Sequence, residues 1–182
     1  MSAELTPQNA EVEVLLSEEE VKARIKTMAA QIAPRLEKNA VVVGLLKGAY
    51  VYTADLVREL ARLGKVVLID FMVLSSYGKS TVSSGKVTIK LDCSENLQGK
   101  QVLLLDDILD SGNTLSFAKD HLEKLGATEV LTAVLLDKPS RRSNNFTADY
   151  TGFTIDNLFV VGYGIDFAEH FREQPYVGYV KQ

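Results

Sequence analysis

Residues 102–115 read VLLLDDILDSGNTL, and the order of residue types in this stretch decides the fold class. An unbroken apolar run ends in two adjacent carboxylates, Asp106 and Asp107. A third acid, Asp110, follows, and then the small polar residues Ser111, Gly112, Asn113 and Thr114. The residues after that have helical spacing. A strand that turns through such a loop into a helix is suited to hold an anion beside a hard cation. Amides at a helix start attract phosphate, and carboxylate oxygens attract ions such as magnesium.

Working outward, the same grammar repeats. Ser17 with Glu20 three residues on reads as a capping box. Val21, Ile25, Met28, Ile32 and Leu36 then follow at helical spacing, with Pro34 placed to bend the end. Residues 40–46 form a Val-rich run of the kind found in strands buried on both faces. A short loop, Lys47-Gly48-Ala49, leads into a helix over 50–63, and Gly64 suits its end. Strands are expected over 65–75, 87–91, 101–106 and 129–137, and a helix over 114–125, with a polar, small-residue stretch at 76–86. Residues 1–16 read as a loose arm or edge segment, and the tail from Thr154 carries short strand-like pieces, clearest at 159–161. Strands alternating with helices predict an α/β fold, a Rossmann-like parallel sheet with helices on both faces. Sites in such sheets lie at the carboxyl ends of the strands.

The 182 residues, with no repeat or linker, fit a single domain over 1–182. Apolar residues make up 46% and charged residues 24%, as in ordinary globular chains. No apolar run approaches the ~18 residues of a membrane span, and the N-terminus lacks a basic segment followed by an apolar one. One cysteine, Cys93, excludes an internal disulfide, and a reducing, cytoplasmic setting is expected. His121 and His170 lie far apart with no cysteine nearby, which argues against zinc. The net charge of −4 argues against nucleic acid as a partner. It also means that an acidic protein with acids in its loop should repel a phosphorylated ligand, unless cations bind with it.

The acids have plain alternatives. Asp106 or Asp107 could be a turn residue, and Asp110 a helix cap. Against the first, neighbouring strand side chains point to opposite faces, so both acids face one ligand only where the strand ends. Against the second, a carboxylate has no use pointing at a phosphate. Asp110 should reach toward whatever reacts, or toward a base nitrogen carrying a proton. A helix terminus alone contributes only ~0.3–1 kcal/mol toward an anion, so Ser111, Gly112, Asn113 and Thr114 must converge, with Gly112 allowing close approach.

These residues resemble the phosphoribosyl-diphosphate motif of type I phosphoribosyltransferases, and the wider chain resembles their purine-salvage branch, the hypoxanthine–guanine enzymes. LLKGAY at 45–50, SSYG at 75–78, the acidic motif, and LLDKPSRR with LFVVGYGIDFAEHFR downstream match in order. The resemblance implies a core over about 38–165, with a small hood built from the N-terminal arm and C-terminal tail, and a flexible lid beginning at Ser76 and Tyr77. It implies phosphoribosyl diphosphate with Mg2+ as one substrate and a 6-oxopurine as the other. Asp106 and Asp107 would sit at the ribose hydroxyls and metal, Asp110 would handle the purine imidazole proton, and residues 110–114 would hold the 5′-phosphate. Lys47 and Gly48, across a cis bond between Leu46 and Lys47, would form the pyrophosphate loop, with Arg172 gripping the same group. Lys138 would donate to the purine oxo group, Phe159 would stack on the base and the Val160 main chain would meet its edge. Asp166 would bind a second magnesium. Relatives assemble as homodimers or homotetramers, so one of these is expected. The family often has Glu before Asp at the acid pair. Asp106 keeps the charge with one methylene less reach.

Overall fold

The computed structural model describes residues 5–76 and 87–181. Two sheets organise them. The larger has six strands in the order β4-β3-β2-β5-β6-β7: β2 (Val41–Leu46), β3 (Leu68–Ser76), β4 (Val87–Leu91), β5 (Gln101–Leu109), β6 (Glu129–Asp137) and β7 (Tyr150–Thr154). All its pairings are parallel except β3 with β4. The smaller is antiparallel, β1 (Val12–Leu16), β9 (Val177–Val180) and β8 (Val160–Val161), in that order.

The apolar runs explain the layering. Side chains alternate between the faces of a strand, so a continuous apolar strand is stable only when both faces are covered. Val42, Leu103, Leu105, Ala133 and Leu135 pack with Ile25, Met28 and Ile32 of α1 (Glu18–Ile32) and with Tyr52, Leu56 and Leu60 of α2 (Tyr50–Arg62). Their neighbours Val41, Val43, Val102, Leu104, Val130 and Val134 pack on the other face with Leu115, Ala118 and Leu122 of α3 (Asn113–Lys124). Ser17 caps α1 with the anticipated box: Glu20 N–H donates to Ser17 Oγ at 3.3 Å and Ser17 N–H to Glu20 Oε2 at 2.8 Å. Pro34 sits in a 3₁₀ turn, Ala33–Arg35, that ends the helix.

Two elements differ from the sequence expectation. β5 runs to Leu109, three residues beyond its expected end at Asp106, because β6 stays alongside it through Leu109↔Asp137 and Leu109 is buried. β7 falls in a mixed polar stretch without clear alternation, yet it pairs with β6 from Ala133↔Tyr150 to Asp137↔Thr154. Of the two readings of the N-terminal segment, Val12–Leu16 takes the edge one, as an edge strand paired with β9 at Val12↔Val180 and Val14↔Gly178.

The topology opens a cleft. β2 lies between β3 on one side and β5 on the other, so the sequence order reverses across the β2–β5 pair. Ligands in open α/β sheets bind at such a reversal, beyond the carboxyl ends of the strands. The β2–β5 pairing stops at Gly44↔Leu105. From there β2 turns away into Lys47-Gly48 while β5 continues into Asp106 and Asp107.

Candidate active site

The acid pair sits where β5 has lost β2 but kept β6. Asp106 pairs with Val134, Ile108 pairs with Leu136, and Asp107 lies between them on the open edge. Both acids are therefore close to one cleft although the strand continues. Asp107 N–H donates to Asp106 Oδ1 at 3.0 Å, and Ile108 N–H to Asp107 Oδ1 at 2.9 Å. Burial pushes both carboxyls above the ordinary range, and the charge of Asp107 pushes Asp106 further. The Arg172 guanidinium opposes this at Asp107. A buried carboxylate and a half-buried one that resist ionisation side by side fit a divalent cation, which would favour the charged form of both. Among the described residues no three His, Cys, Asp or Glu side chains gather into a metal cage. That suits magnesium, which keeps waters and takes one or two carboxylates plus substrate oxygens.

Lys47-Gly48 closes the cleft from the β2 side, after a cis peptide bond between Leu46 and Lys47. Gly48 is required there, since a Cβ would lie 1.9 Å from Asp107 Oδ2. A second loop backs the first: a Cβ on Gly164 would lie 2.1 Å from the Gly48 carbonyl oxygen. Arg172 donates to Gly164 O at 2.8 Å, pairs with Asp166 Oδ1 at 2.8 Å, and has its Nε buried without a partner among the described residues. Lys47 Nζ meets Glu169 Oε2 at 2.8 Å.

The other end of the cleft is the turn from β5 into α3. Gly112, at φ 86°, is the N-cap of α3 and caps it with no side chain. The Asn113 N–H donates to Ser111 Oγ at 3.3 Å, and the other first-turn amides are available to an anion. Asp106, Asp107, Asp110, Ser111, Gly112 and Thr114 line one cavity of about 240 Å³. Asp110 itself reaches out of the turn to Arg141 Nε at 3.2 Å. Lys138 starts the next loop, with its backbone N–H on Leu109 O at 3.0 Å and its Nζ donating to Leu158 O at 2.6 Å. Burial lowers the Lys138 pKa and the charge of Asp110 partly restores it, so the two groups share one neighbourhood. Phe159 is 41% exposed and meets Phe167 edge-on, ring centres 5.2 Å apart. Val160 is buried in β8. Ser76 ends β3 opposite Val87, while Tyr77 and the rest of the expected lid lie outside the described residues.

The comparison with family models decides what this arrangement is: a phosphoribosyl transferase domain model matches residues 11–168. The chain belongs to the phosphoribosyl transferase family. It is 44% identical over 172 residues to the hypoxanthine phosphoribosyltransferase of Escherichia coli K12, covering 93% of this chain and 95% of that one. It is also 43% identical over 169 residues to a bifunctional TilS/HprT protein of Listeria monocytogenes, 92% of this chain. It spans only about a quarter of that longer protein, 26%. A crystal structure of a hypoxanthine-guanine phosphoribosyltransferase from Bacillus anthracis superposes with a TM-score of 0.87 at 42% identity, covering 93% of this chain and 98% of that one.

Within this phosphoribosyl transferase fold, several residues that hold the cleft together have no role assigned from sequence, although Arg142 lies in the segment LLDKPSRR. Arg142 donates to the carbonyl oxygens of Leu109, at 3.2 Å, and of Asp110, and pairs with Asp137. Ser143 N–H donates to Ser111 O at 3.0 Å, and Asn144 Nδ2 to Asn113 Oδ1 at 3.2 Å. This second loop braces the phosphate turn from outside, and a Cβ on Gly112 would lie 2.3 Å from Asn144 Oδ1. The only sequence trace of it is the polar run RRSNN just after Lys138.

Proposed function

We propose that the chain transfers the 5-phosphoribosyl group from phosphoribosyl diphosphate to hypoxanthine, and to guanine as well, giving the nucleoside monophosphate and pyrophosphate. In this reading it is a purine-salvage glycosyltransferase of one domain, with the six-stranded sheet as core and the three-stranded sheet as hood. One observation carries it: the start of α3, which no side chain caps, and the acid pair line the same small cavity. A sugar carrying both a phosphate and a metal-bound diphosphate needs both.

The roles follow from the positions. The open amides of residues 111–114, with the Ser111 and Thr114 hydroxyls, hold the 5′-phosphate. Asp106 and Asp107 hold magnesium and the ribose hydroxyls, and Asp166 holds a second magnesium. When bound, magnesium neutralises the leaving diphosphate. Lys47, Gly48 and Arg172 receive that diphosphate, Arg172 with planar donors and Lys47 as a point charge. The reaction then depends mainly on positioning and charge stabilisation. Asp110 manages the proton on the purine imidazole ring. Phe159 stacks on the base, the Val160 main chain meets its edge, and Lys138 donates to the 6-oxo group. Adenine, with an amino group there, would set a donor against a Lys138 N–H and leave that N–H without an acceptor. Ser76 and Tyr77 begin the lid that excludes water.

A coupled assay for pyrophosphate release, run with each purine and with or without magnesium, tests the reading. It predicts release with hypoxanthine and guanine, strict dependence on magnesium, and little release with adenine. No turnover with any oxopurine would overturn it.

A further inference from the structure

The segment 162–172 has an unusual backbone. Tyr163, Ala168, Glu169 and Phe171 all take positive φ, at 51°, 49°, 69° and 73°. Non-glycine residues rarely adopt this conformation, and a run of them persists only where the surroundings impose it. The turn is fixed at its base by reciprocal hydrogen bonds between Phe167 and His170, each 3.1 Å. Glu169 N–H also donates to Asp166 Oδ2 at 2.8 Å.

The consequence of this turn is where it puts the Glu169 carboxylate. A single oxygen, Oε2, accepts from Lys47 Nζ at 2.8 Å and lies 3.3 Å from Arg172 Nη2. Lys47 and Arg172 are the two cations assigned above to the diphosphate. They come from loops far apart in sequence, and one carboxylate oxygen stands between them. The Glu169 and Lys47 side chains are each 65% exposed, yet the carboxylate turns toward both cations, and solubility alone would not need a left-handed backbone. Arg172 does not depend on Glu169 for its placement, because Asp166 Oδ1 and Gly164 O hold it at 2.8 Å each. The contact with Glu169 is thus surplus to positioning.

We propose that Glu169 is an internal counter-ion of the diphosphate cradle, a carboxylate that occupies the anion site in the free enzyme and must be displaced when diphosphate enters. This rests on the function proposed above and assigns Glu169 a role within that site. Two cations set against Asp166 and Glu169 leave the cradle without net positive charge, so its grip on a free diphosphate is moderated. Binding energy withheld from the ground state does not slow the chemical step, and a moderated grip lets the pyrophosphate product leave.

Titration calorimetry with inorganic pyrophosphate, with and without magnesium, tests this on the full chain. The variants are Glu169→Gln, which keeps the shape, and Glu169→Asn, whose residue type tolerates left-handed backbone. Both contacts are solvent-exposed, where ion pairs are weak, so removing them should tighten pyrophosphate binding about two- to tenfold. In a Lys47→Gln background the gain should fall to less than half, since one of the two released cations is gone. A merely structural role for Glu169 predicts the opposite sign, a loss of affinity. Unchanged or weaker binding in folded variants, alongside a wild type that binds pyrophosphate and turns over, would overturn the counter-ion role and leave the proposed function standing. Absence of both pyrophosphate binding and turnover in the wild type would overturn both.

Discussion

At the scale of single residues, the cleft is built from groups that the fold alone would not choose. Asp106 is buried with Asp107 half-buried beside it, and desolvation holds both carboxyls above the ordinary 3.8. A carboxyl that binds its proton more tightly folded than unfolded subtracts stability as pH rises above its unfolded value. The penalty is absent below that value and grows through the window up to the raised value. Asp106→Asn should therefore raise the melting temperature of the ligand-free protein at pH 7, by about 2–4 °C for each kcal/mol relieved at this size. The gain should shrink toward pH 4, and magnesium-dependent substrate binding should weaken. A lower melting temperature at pH 7 in scanning calorimetry would show that the pair is not under this tension. Asp110 differs, since it reaches away from the phosphate turn. Asp110→Ala should lower kcat by about 10²–10⁴-fold, the range of general acid–base catalysis, while the Kd for phosphoribosyl diphosphate moves much less. Equal losses in kcat and affinity would remove Asp110 from proton handling.

At the scale of elements, the close approach of two loops sets the geometry. Gly48 lies against Asp107 and Gly164 lies against Gly48, so three segments meet with no room for a methyl group. Gly48→Ala should displace the acid or the loop by about 1 Å, and misplacements of that size cost about 10²-fold. Wild-type kcat/KM in Gly48→Ala would mean that this contact is not part of the working site. The sequence was informative where one local rule dominated. The capping box at Ser17 and Glu20, the buried run of β2, and the strand–turn–helix of β5 and α3 could all be read directly. It was silent where pairing came from far away. β1 is a strand because β9 accepts it, β7 because β6 does, and neither segment advertises this through its own periodicity. β5 outran its expected end for the same reason. In the cleft, most motif residues could be given roles in advance, but Arg142 and Glu169, though within quoted segments, and Ser143 and Asn144, outside them, could not. Each acts on a backbone group or charge distant in sequence, through contacts that only the folded chain creates.

At the scale of the whole molecule, a net charge of −4 coexists with a cleft for which a phosphorylated ligand is proposed. The proposal reconciles the two because a cation bound at the acids would offset their charge, and the start of α3 and the acid pair line one cavity. The reversal of strand order between β2 and β5 places both at the same edge of the sheet. The central claim is this division of the cavity, phosphate at the turn and metal-bound sugar oxygens at the acid pair. A crystal structure with inosine monophosphate and magnesium tests it most directly. The account predicts the phosphate within hydrogen-bond distance of the amides of residues 111–114, the ribose hydroxyls toward Asp106 and Asp107, and the base between Phe159 and Lys138. A nucleotide seated elsewhere, with its phosphate away from that turn, would contradict it.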